Sequence, residues 1–240
     1  MKKIILTLAA LTMYTLSHAQ WWGKGEKGNG KVTTETREVG HYDEIKCGGS
    51  MDFILVGGNE GTIKIEGESN LLEYIITEVK GDKLIVKVEN GINLKTSWNK
   101  SIKITIPFRD ISAVSLAGSG DLWTKDTIKS NDFDVSLAGS GDVLVDVEAI
   151  FVEASIAGSG DLTVKGKTNN LEAKVAGSGD FHGFNLEANN TVVSVAGSGD
   201  AEVVSRESLK ARVAGSGDIE YKGSPAKEDT KVSGSGRISN

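Results

Sequence analysis

The stretch SLAGSGDLW, Ser115 to Trp123, contains the five residues Ala-Gly-Ser-Gly-Asp, which recur letter for letter five more times along the chain of 240 residues. The first glycines of the six copies are Gly118, Gly139, Gly158, Gly177, Gly197 and Gly215. An altered seventh copy has Gly234 in this place, and the successive intervals are 21, 19, 19, 20, 18 and 19 residues. A period near twenty residues with strand-like flanks is typical of a solenoid in which each repeat forms one coil.

The flanks of the motif alternate between apolar and polar residues. In the second copy every other residue from Val135 to Val147 is valine, leucine or glycine, and the third copy repeats the pattern from Val152 to Val164. This alternation indicates strands with one buried face. We therefore expect parallel strands that stack around a narrow common core.

These observations predict an all-β chain folded as a right-handed parallel β-helix, that is, a β-solenoid with coils of about 19 residues and irregular coils at its N-terminal end. A left-handed β-helix is disfavoured because it is built from regular hexapeptides, whereas the coil length here varies from 18 to 21 residues. A β-propeller is disfavoured because its blades repeat every ~40 to 50 residues.

Residues 1–19 have the three-part pattern of a secretory signal peptide. Lys2 and Lys3 precede an apolar run, and small residues stand before Gln20. A retained membrane anchor is the alternative, but the apolar run is short for crossing a bilayer. Because Gln20 and not cysteine follows the expected cleavage site, we do not expect lipidation. We predict an exported protein of the periplasm, the outer surface or the medium, without a transmembrane segment after cleavage.

Three further segments follow the signal sequence. Residues 20–31 form a polar, glycine-rich stretch that we interpret as a flexible leader, residues 32–113 form an irregular β region, and residues 114–240 form the regular solenoid. Within the irregular region, residues 71–79 suit either a short helix or a strand. Cys47-Gly-Gly-Ser-Met-Asp52 looks like a degenerate copy of the motif, which suggests that the repeat begins before its first clear copy.

Composition excludes some partners and favours others. Cleavage of the signal peptide, residues 1–19, would remove two lysines and no acidic residue, which changes the net charge from −6 to −8. An acidic chain does not suit nucleic-acid binding, which requires clustered lysine and arginine. Cys47 is the single cysteine, so an intramolecular disulfide is impossible and we expect a buried free thiol.

The motif itself is expected to be a folding device. Glycine lets the backbone bend sharply or approach the coil beneath it, and serine and aspartate can satisfy backbone groups in the bend. The residues of this structural motif are Gly118, Ser119, Gly120, Gly139, Ser140, Gly141, Gly158, Ser159, Gly160, Gly177, Ser178, Gly179, Gly197, Ser198, Gly199, Gly215, Ser216 and Gly217.

Stacked coils should place the motif aspartates in one outward column. The column consists of Asp121, Asp142, Asp161, Asp180, Asp200 and Asp218. Two unit charges 4.8 Å apart in water repel by roughly 0.9 kcal/mol, so something must offset the repulsion. Three explanations are open: hydrogen bonds from backbone amides of the bend or from neighbouring serines, solvent screening, or shared cations such as calcium.

The seventh copy replaces the motif aspartate by Arg237. An arginine at the end of an aspartate column can pair with Asp218 and neutralise that end. We therefore expect Arg237 to act as an end cap, which solenoids need in order to avoid unlimited stacking.

A signal peptide, irregular strands and repeated valine-x-valine-AGSGD-leucine segments together resemble the bacterial head GIN domain family, described as autotransporter adhesin heads of Bacteroidetes-type bacteria. The resemblance spans roughly His41 to the C-terminus. It implies a right-handed parallel β-helix and an adhesin-like role outside the cytoplasm, and it supplies no biochemical activity. The sequence ends at Asn240, directly after the last copy, so we expect no translocating barrel beyond it.

The favoured function is a non-catalytic, adhesin-like or cell-envelope binding protein whose ligand is a glycan or an envelope or host protein. Trp98 and Trp123 are candidate surface residues for stacking on sugars, although each could instead cover a coil edge. A carbohydrate-active enzyme of the lyase or hydrolase type is the alternative, and a structural or regulatory envelope protein is a further one. We predict no catalytic residue and no cofactor; the sequence leaves the oligomeric state open.

Overall fold

A computed structural model of the protein describes residues 24–240 and shows an all-β chain. Its first strands are β1 (Lys24–Lys27), β2 (Val32–Glu38), β3 (Glu44–Gly49), β4 (Asp52–Gly57), β5 (Thr62–Glu68), β6 (Ile75–Lys80), β7 (Lys83–Val88), β8 (Ile92–Lys95) and β9 (Lys103–Phe108). The later strands are β10 (Ala113–Gly118), β11 (Leu122–Thr124), β12 (Ile128–Gly139), β13 (Val143–Gly158), β14 (Leu162–Gly177), β15 (Phe181–His182), β16 (Leu186–Gly197), β17 (Ala201–Val204), β18 (Ser208–Gly215), β19 (Ile219–Lys222), β20 (Lys227–Gly234) and β21 (Ile238–Ser239). A single 3₁₀ turn, Leu72–Tyr74, is the only helical element of the described residues.

The strands stack in two parallel ladders. The first ladder runs in the spatial order β7, β3, β10, β12, β13, β14, β16, β18, β20. The second ladder runs in the order β9, β4, β11, β13, β14, β15, β17, β19, β21. Each coil enters through the first ladder, bends at the glycine motif and leaves through the second. The predicted β-solenoid is therefore confirmed, while its right-handed winding stays a prediction.

The repeated motif sets the register between coils. Gly139 pairs with Gly118 on one side and with Gly158 on the other, so the copies lie directly above one another. Gly49 pairs with Gly118 in the same way. Cys47 to Asp52 is thus a structural copy of the motif, as its sequence suggested.

The inward positions of the alternation form the core. In β13, Val143, Val145 and Val147 are buried, and in the following part of the strand Val152 and Ala154 are buried. The inward positions change from odd to even numbers between Val147 and Val152. This change of phase marks the corner at which the strand turns toward the first ladder again.

The N-terminal region departs from simple stacking. β3 pairs with β7 on one side and with β10 on the other, and β4 pairs in the same way with β9 and β11. β7 and β9 therefore lie on the side that faces away from the regular coils, although they follow β3 and β4 in the chain. Antiparallel strands then extend both ladders at this end. β6 pairs with β7, β5 pairs with β9, and β2 pairs with β5.

In the N-terminal region one local prediction is corrected and one open alternative is resolved. The flexible leader predicted for residues 20–31 is wrong for Lys24–Lys27, because β1 pairs in parallel with β8 and forms a two-stranded sheet. Residues 71–79, for which helix and strand were both open, contain the 3₁₀ turn followed directly by β6. The predicted signal peptide lies outside the described residues.

Glu68 ties the N-terminal strands together. This carboxylate is buried, and it accepts hydrogen bonds from the hydroxyl of Ser97 at 2.6 Å and from the amide of Ser97 at 2.8 Å. The amide of Gly30 donates to Oε1, the oxygen that also accepts from the Ser97 hydroxyl. The hydrogen bond from the Ser97 hydroxyl is the main reason why the pKa of Glu68 lies below its ordinary value.

Candidate functional site

The Gly-Ser-Gly bend is a place of close backbone approach between coils. Gly139 has a φ of +135°, and a Cβ atom there would lie 2.1 Å from the carbonyl oxygen of Gly118. On Gly141 a Cβ atom would lie 1.9 Å from the carbonyl oxygen of Gly120. Neither space admits a side chain, so both glycines of the motif are required by the stacking itself.

Backbone groups in the bend find their partners in the neighbouring coil. The amides of Ser140 and Gly141 both donate to the carbonyl of Gly118, at 2.9 and 3.2 Å. The amide of Val143 donates to the carbonyl of Asp161 in the coil on the other side, at 2.9 Å. These amides of the bend therefore find their acceptors in the two neighbouring coils.

The motif aspartates form the predicted outward column, and each of the first five accepts a hydrogen bond from the backbone amide of the next aspartate. The N···Oδ1 distances are 3.1 Å (Asp142 to Asp121), 3.1 Å (Asp161 to Asp142), 3.0 Å (Asp180 to Asp161), 2.7 Å (Asp200 to Asp180) and 2.7 Å (Asp218 to Asp200). The amides belong to adjacent coils, so the contact is a ladder and not an Asx turn within one bend. The motif serines lie at exposed positions outside this hydrogen-bond ladder.

Arg237 closes the column at its C-terminal end. Its amide donates to Oδ1 of Asp218 at 2.7 Å, and its guanidinium nitrogen Nη2 donates to Oδ2 of the same residue at 2.9 Å. This ion pair holds the pKa of Asp218 below its ordinary value. The sequence predicted this pairing.

A second outward row runs beside the aspartate column. It consists of the residues that stand two positions after each motif aspartate and therefore point to the same side of the second ladder. In stacking order they are Ile54, Trp123, Leu144, Thr163, His182, Glu202 and Glu220. The row changes from apolar to polar and then to acidic along the solenoid, so its members, unlike the motif, differ from coil to coil.

The apolar part of this row and the aspartate column enclose a cleft of about 410 Å³. Trp123 is half-buried in it, beside Leu144, which is 39% exposed. The residues that line the cleft are Asp121, Leu122, Trp123, Asp142, Val143, Leu144, Asp161, Thr163 and His182. An apolar surface flanked by carboxylate acceptors can hold a ligand that has both a flat apolar side and hydrogen-bond donors.

The two tryptophans singled out in the sequence have different surroundings. Trp123 lies in the cleft, whereas Trp98 follows β8 in a loop and is 90% exposed. The structure thus makes Trp123 the candidate binding residue of the pair. Every residue of this row can be found in the sequence because it stands two positions after a motif aspartate, as in Asp121-Leu-Trp123.

The two histidines of the described residues each face a glutamate. His41 Nδ1 lies 3.4 Å from Oε2 of Glu60, and His182 Nδ1 lies 3.3 Å from Oε2 of Glu202. Only His182 belongs to the cleft. There it lies close to Asp161 and Asp180, and within residues 24–240 these three side chains form a cluster that could hold a metal ion.

Residues 24–240 contain no helix that is long and apolar enough to cross a membrane. No curated protein matches the chain in sequence. Solved structures, however, match it over most of its length.

A crystal structure of a "putative adhesin" from Bacteroides fragilis is 25% identical, with a TM-score of 0.80 over 90% of this chain and 100% of that one. A "putative lipid binding protein" from Parabacteroides distasonis is 27% identical, with a TM-score of 0.75 over 90% of this chain and 99% of that one. A "putative adhesin" from the same species is 26% identical, with a TM-score of 0.71 over 90% and 99%.

A family model agrees with these structures. The model described as "Putative auto-transporter adhesin, head GIN domain" matches residues 41–225, which include the degenerate copy of the motif and all six clear copies. The match extends over well more than half of the chain and agrees with the resemblance noted in the sequence. The chain belongs to the head GIN domain family, whose model carries the description "Putative auto-transporter adhesin, head GIN domain".

Proposed function

We propose that the protein is an exported, non-catalytic binding protein of the adhesin type, and that it holds its ligand in the cleft beside Trp123. The single observation that carries this proposal is the cleft itself. It joins an aromatic ring and an aliphatic side chain, Trp123 and Leu144, to the carboxylates of Asp121 and Asp142. The family name and the names of two of the three similar structures support an adhesive role, while the third is named a lipid binding protein.

A glycan is the ligand whose chemistry suits this surface best. The face of a sugar ring is apolar enough to pack on Trp123, and its hydroxyl groups can donate to carboxylates. One carboxylate oxygen of Asp121 and one of Asp142 are engaged in the ladder, which leaves a second oxygen on each for a ligand. A short run of sugars along the solenoid axis would contact several coils at once.

Catalysis suits this arrangement less well. A hydrolase or lyase needs one acid and one base with distinct environments at a unique place. Here the aspartates occupy the same position in successive coils, and each uses one oxygen as an acceptor for the next coil. We therefore assign the aspartate column to the scaffold and to ligand contact, not to general acid or base chemistry.

The signal-like pattern of residues 1–19 and the family both support export. An adhesin acts at the envelope or beyond it. We accordingly place the protein in the periplasm, on the outer surface or in the medium.

The test is a paired measurement on the chain Gln20–Asn240. Immobilised glycans and soluble polysaccharides are each incubated with the protein, and both retention and the release of reducing ends or unsaturated products are recorded. The proposal expects retention on a defined set of glycans without product release. Product release at a rate above that of a heat-denatured sample would favour the enzyme instead, and the absence of retention on every glycan would refute the glycan-binding role.

A further inference from the structure

The outer face of the second ladder brings two carboxylates and an imidazole together from successive coils. Asp161, Asp180 and His182 each offer one ligand atom, and these atoms all lie within 4.8 Å of one another. All three side chains are half-buried, and two of them line the open cleft. We propose that Asp161, Asp180 and His182 bind one divalent transition-metal ion of the Zn²⁺ class.

The hydrogen-bond ladder orients the two carboxylates before any ion arrives. Oδ1 of Asp161 accepts from the amide of Asp180 at 3.0 Å, and Oδ1 of Asp180 accepts from the amide of Asp200 at 2.7 Å. The second oxygen of each carboxylate remains outside the ladder. Ligands that are held in place by the scaffold bind a metal with less loss of side-chain freedom.

The imidazole decides which class of ion fits. Sites built of carboxylate oxygens alone suit Ca²⁺ and Mg²⁺, whereas an added ring nitrogen suits Zn²⁺ and its neighbours. Carboxylates commonly hold the ring of a metal-bound histidine in place, and Oε2 of Glu202 lies 3.3 Å from Nδ1 of His182.

The position of His182 also limits the site to one per chain. The other coils have a different residue at the equivalent place in the second row. These residues are Ile54, Trp123, Leu144, Thr163, Glu202 and Glu220. The proposal therefore differs from the cation ladder that the sequence left open, in which every pair of neighbouring aspartates would bind an ion.

The charge of the column supports a cation at this place independently of the ligand geometry. Asp218 is neutralised by Arg237. Within residues 24–240, none of the other five motif aspartates forms an ion pair with a lysine or arginine. A divalent ion between Asp161 and Asp180 would relieve repulsion in the middle of the column.

The test is calorimetric titration of tag-free Gln20–Asn240 with ZnCl₂ alone. We expect one ion per chain. His182→Gln should weaken binding at least about tenfold, because it removes the nitrogen ligand, and Glu202→Gln should weaken it by about tenfold through the ring orientation. His41→Gln is the matched control and should leave the affinity unchanged, since His41 also faces a glutamate but lies outside the cluster.

Asp161→Asn provides a second variant that keeps the fold. The asparagine side-chain oxygen can still accept from the Asp180 amide, while one negative charge is lost, so weaker Zn²⁺ binding with an unchanged thermal midpoint is expected. Equal affinity in His182→Gln, several equivalent ions per chain, or no binding at millimolar Zn²⁺ would each overturn the proposal. Because the probe is the metal alone, its outcome is separate from that of the glycan experiment.

Discussion

The backbone amide of Asp161 donates a 3.1 Å hydrogen bond to Oδ1 of Asp142 in the adjacent coil. The same contact recurs along the column, so each aspartate joins its own coil to the next. A column of like charges is tolerated because every carboxylate that adds repulsion also adds a hydrogen bond to the stack. The repeated motif is thus primarily a device for stacking coils in register.

Removal of one column acceptor should destabilise the stack. Asp161→Ala leaves the Asp180 amide without its acceptor, and we expect the free energy of unfolding to fall by about 1 kcal/mol. Asp161→Asn keeps an acceptor and should stay within about 0.5 kcal/mol of the wild type. Urea unfolding of the three proteins measures both values. A rise in stability in Asp161→Ala would mean that repulsion outweighs the hydrogen bond.

The second glycine of the motif should tolerate no side chain. In Gly160→Ala the new Cβ atom would lie 2.0 Å from the carbonyl oxygen of Gly141, and separating the coils should cost about 3 kcal/mol. Gly81→Ala is the control: its φ of +66° is unfavourable for alanine, but nothing lies within 4 Å, so a cost of about 1 kcal/mol is expected. Equal losses in the two variants, measured by thermal unfolding, would argue against the close-approach explanation.

Acid should weaken the N-terminal region through Glu68. Because the pKa of Glu68 is lower in the folded state than in the unfolded chain, its stabilising contribution is present above about pH 4.3 and is lost as pH falls through the folded value. Glu68→Gln should therefore be less stable than the wild type at pH 7, and the difference should shrink at lower pH. Urea unfolding at pH 7, 5 and 3.5 tests this, and a difference independent of pH would exclude the ionised carboxylate as its cause.

The thiol of Cys47 should be inert in the folded protein. It is 4% exposed, and burial raises its pKa, so little reactive thiolate is accessible near neutral pH. We expect no reaction with a disulfide reagent in native buffer and complete reaction in urea. Ser119→Cys places a second thiol at an exposed position and should react at once. Rapid modification of the native wild type would contradict the packing around Cys47.

The regular half of the solenoid was predictable because the same motif and the same alternation of apolar and polar residues recur in every coil. Identical motifs at a constant interval require equivalent positions, and alternation then assigns Val143 and Val145 to the core. The N-terminal half has no second copy of its segments, so neither the antiparallel strands nor the placement of β7 next to β3 could be derived. Local composition was misleading for β1, because its pairing with β8 depends on residues about seventy positions away.

The site was predictable only in part. The sequence indicated the aspartate column and Trp123, but it did not distinguish hydrogen bonds within one bend from hydrogen bonds between coils. It also did not single out Leu144 or Thr163, which have no chemical signature of their own. They become candidate site residues only through the strand register, which places them beside Trp123 and His182 on one face.

We expect the motif to stack the coils and the residues that differ between coils, above all Trp123, to decide where the ligand binds. A glycan array probed with wild type, Trp123→Ala, Trp98→Ala and Asp200→Asn distinguishes these roles, because Trp98 and Asp200 lie outside the residues that line the cleft. We expect Trp123→Ala to lose binding and the other two variants to retain it. Binding that survives Trp123→Ala, or that disappears equally in Trp98→Ala, would contradict this expectation.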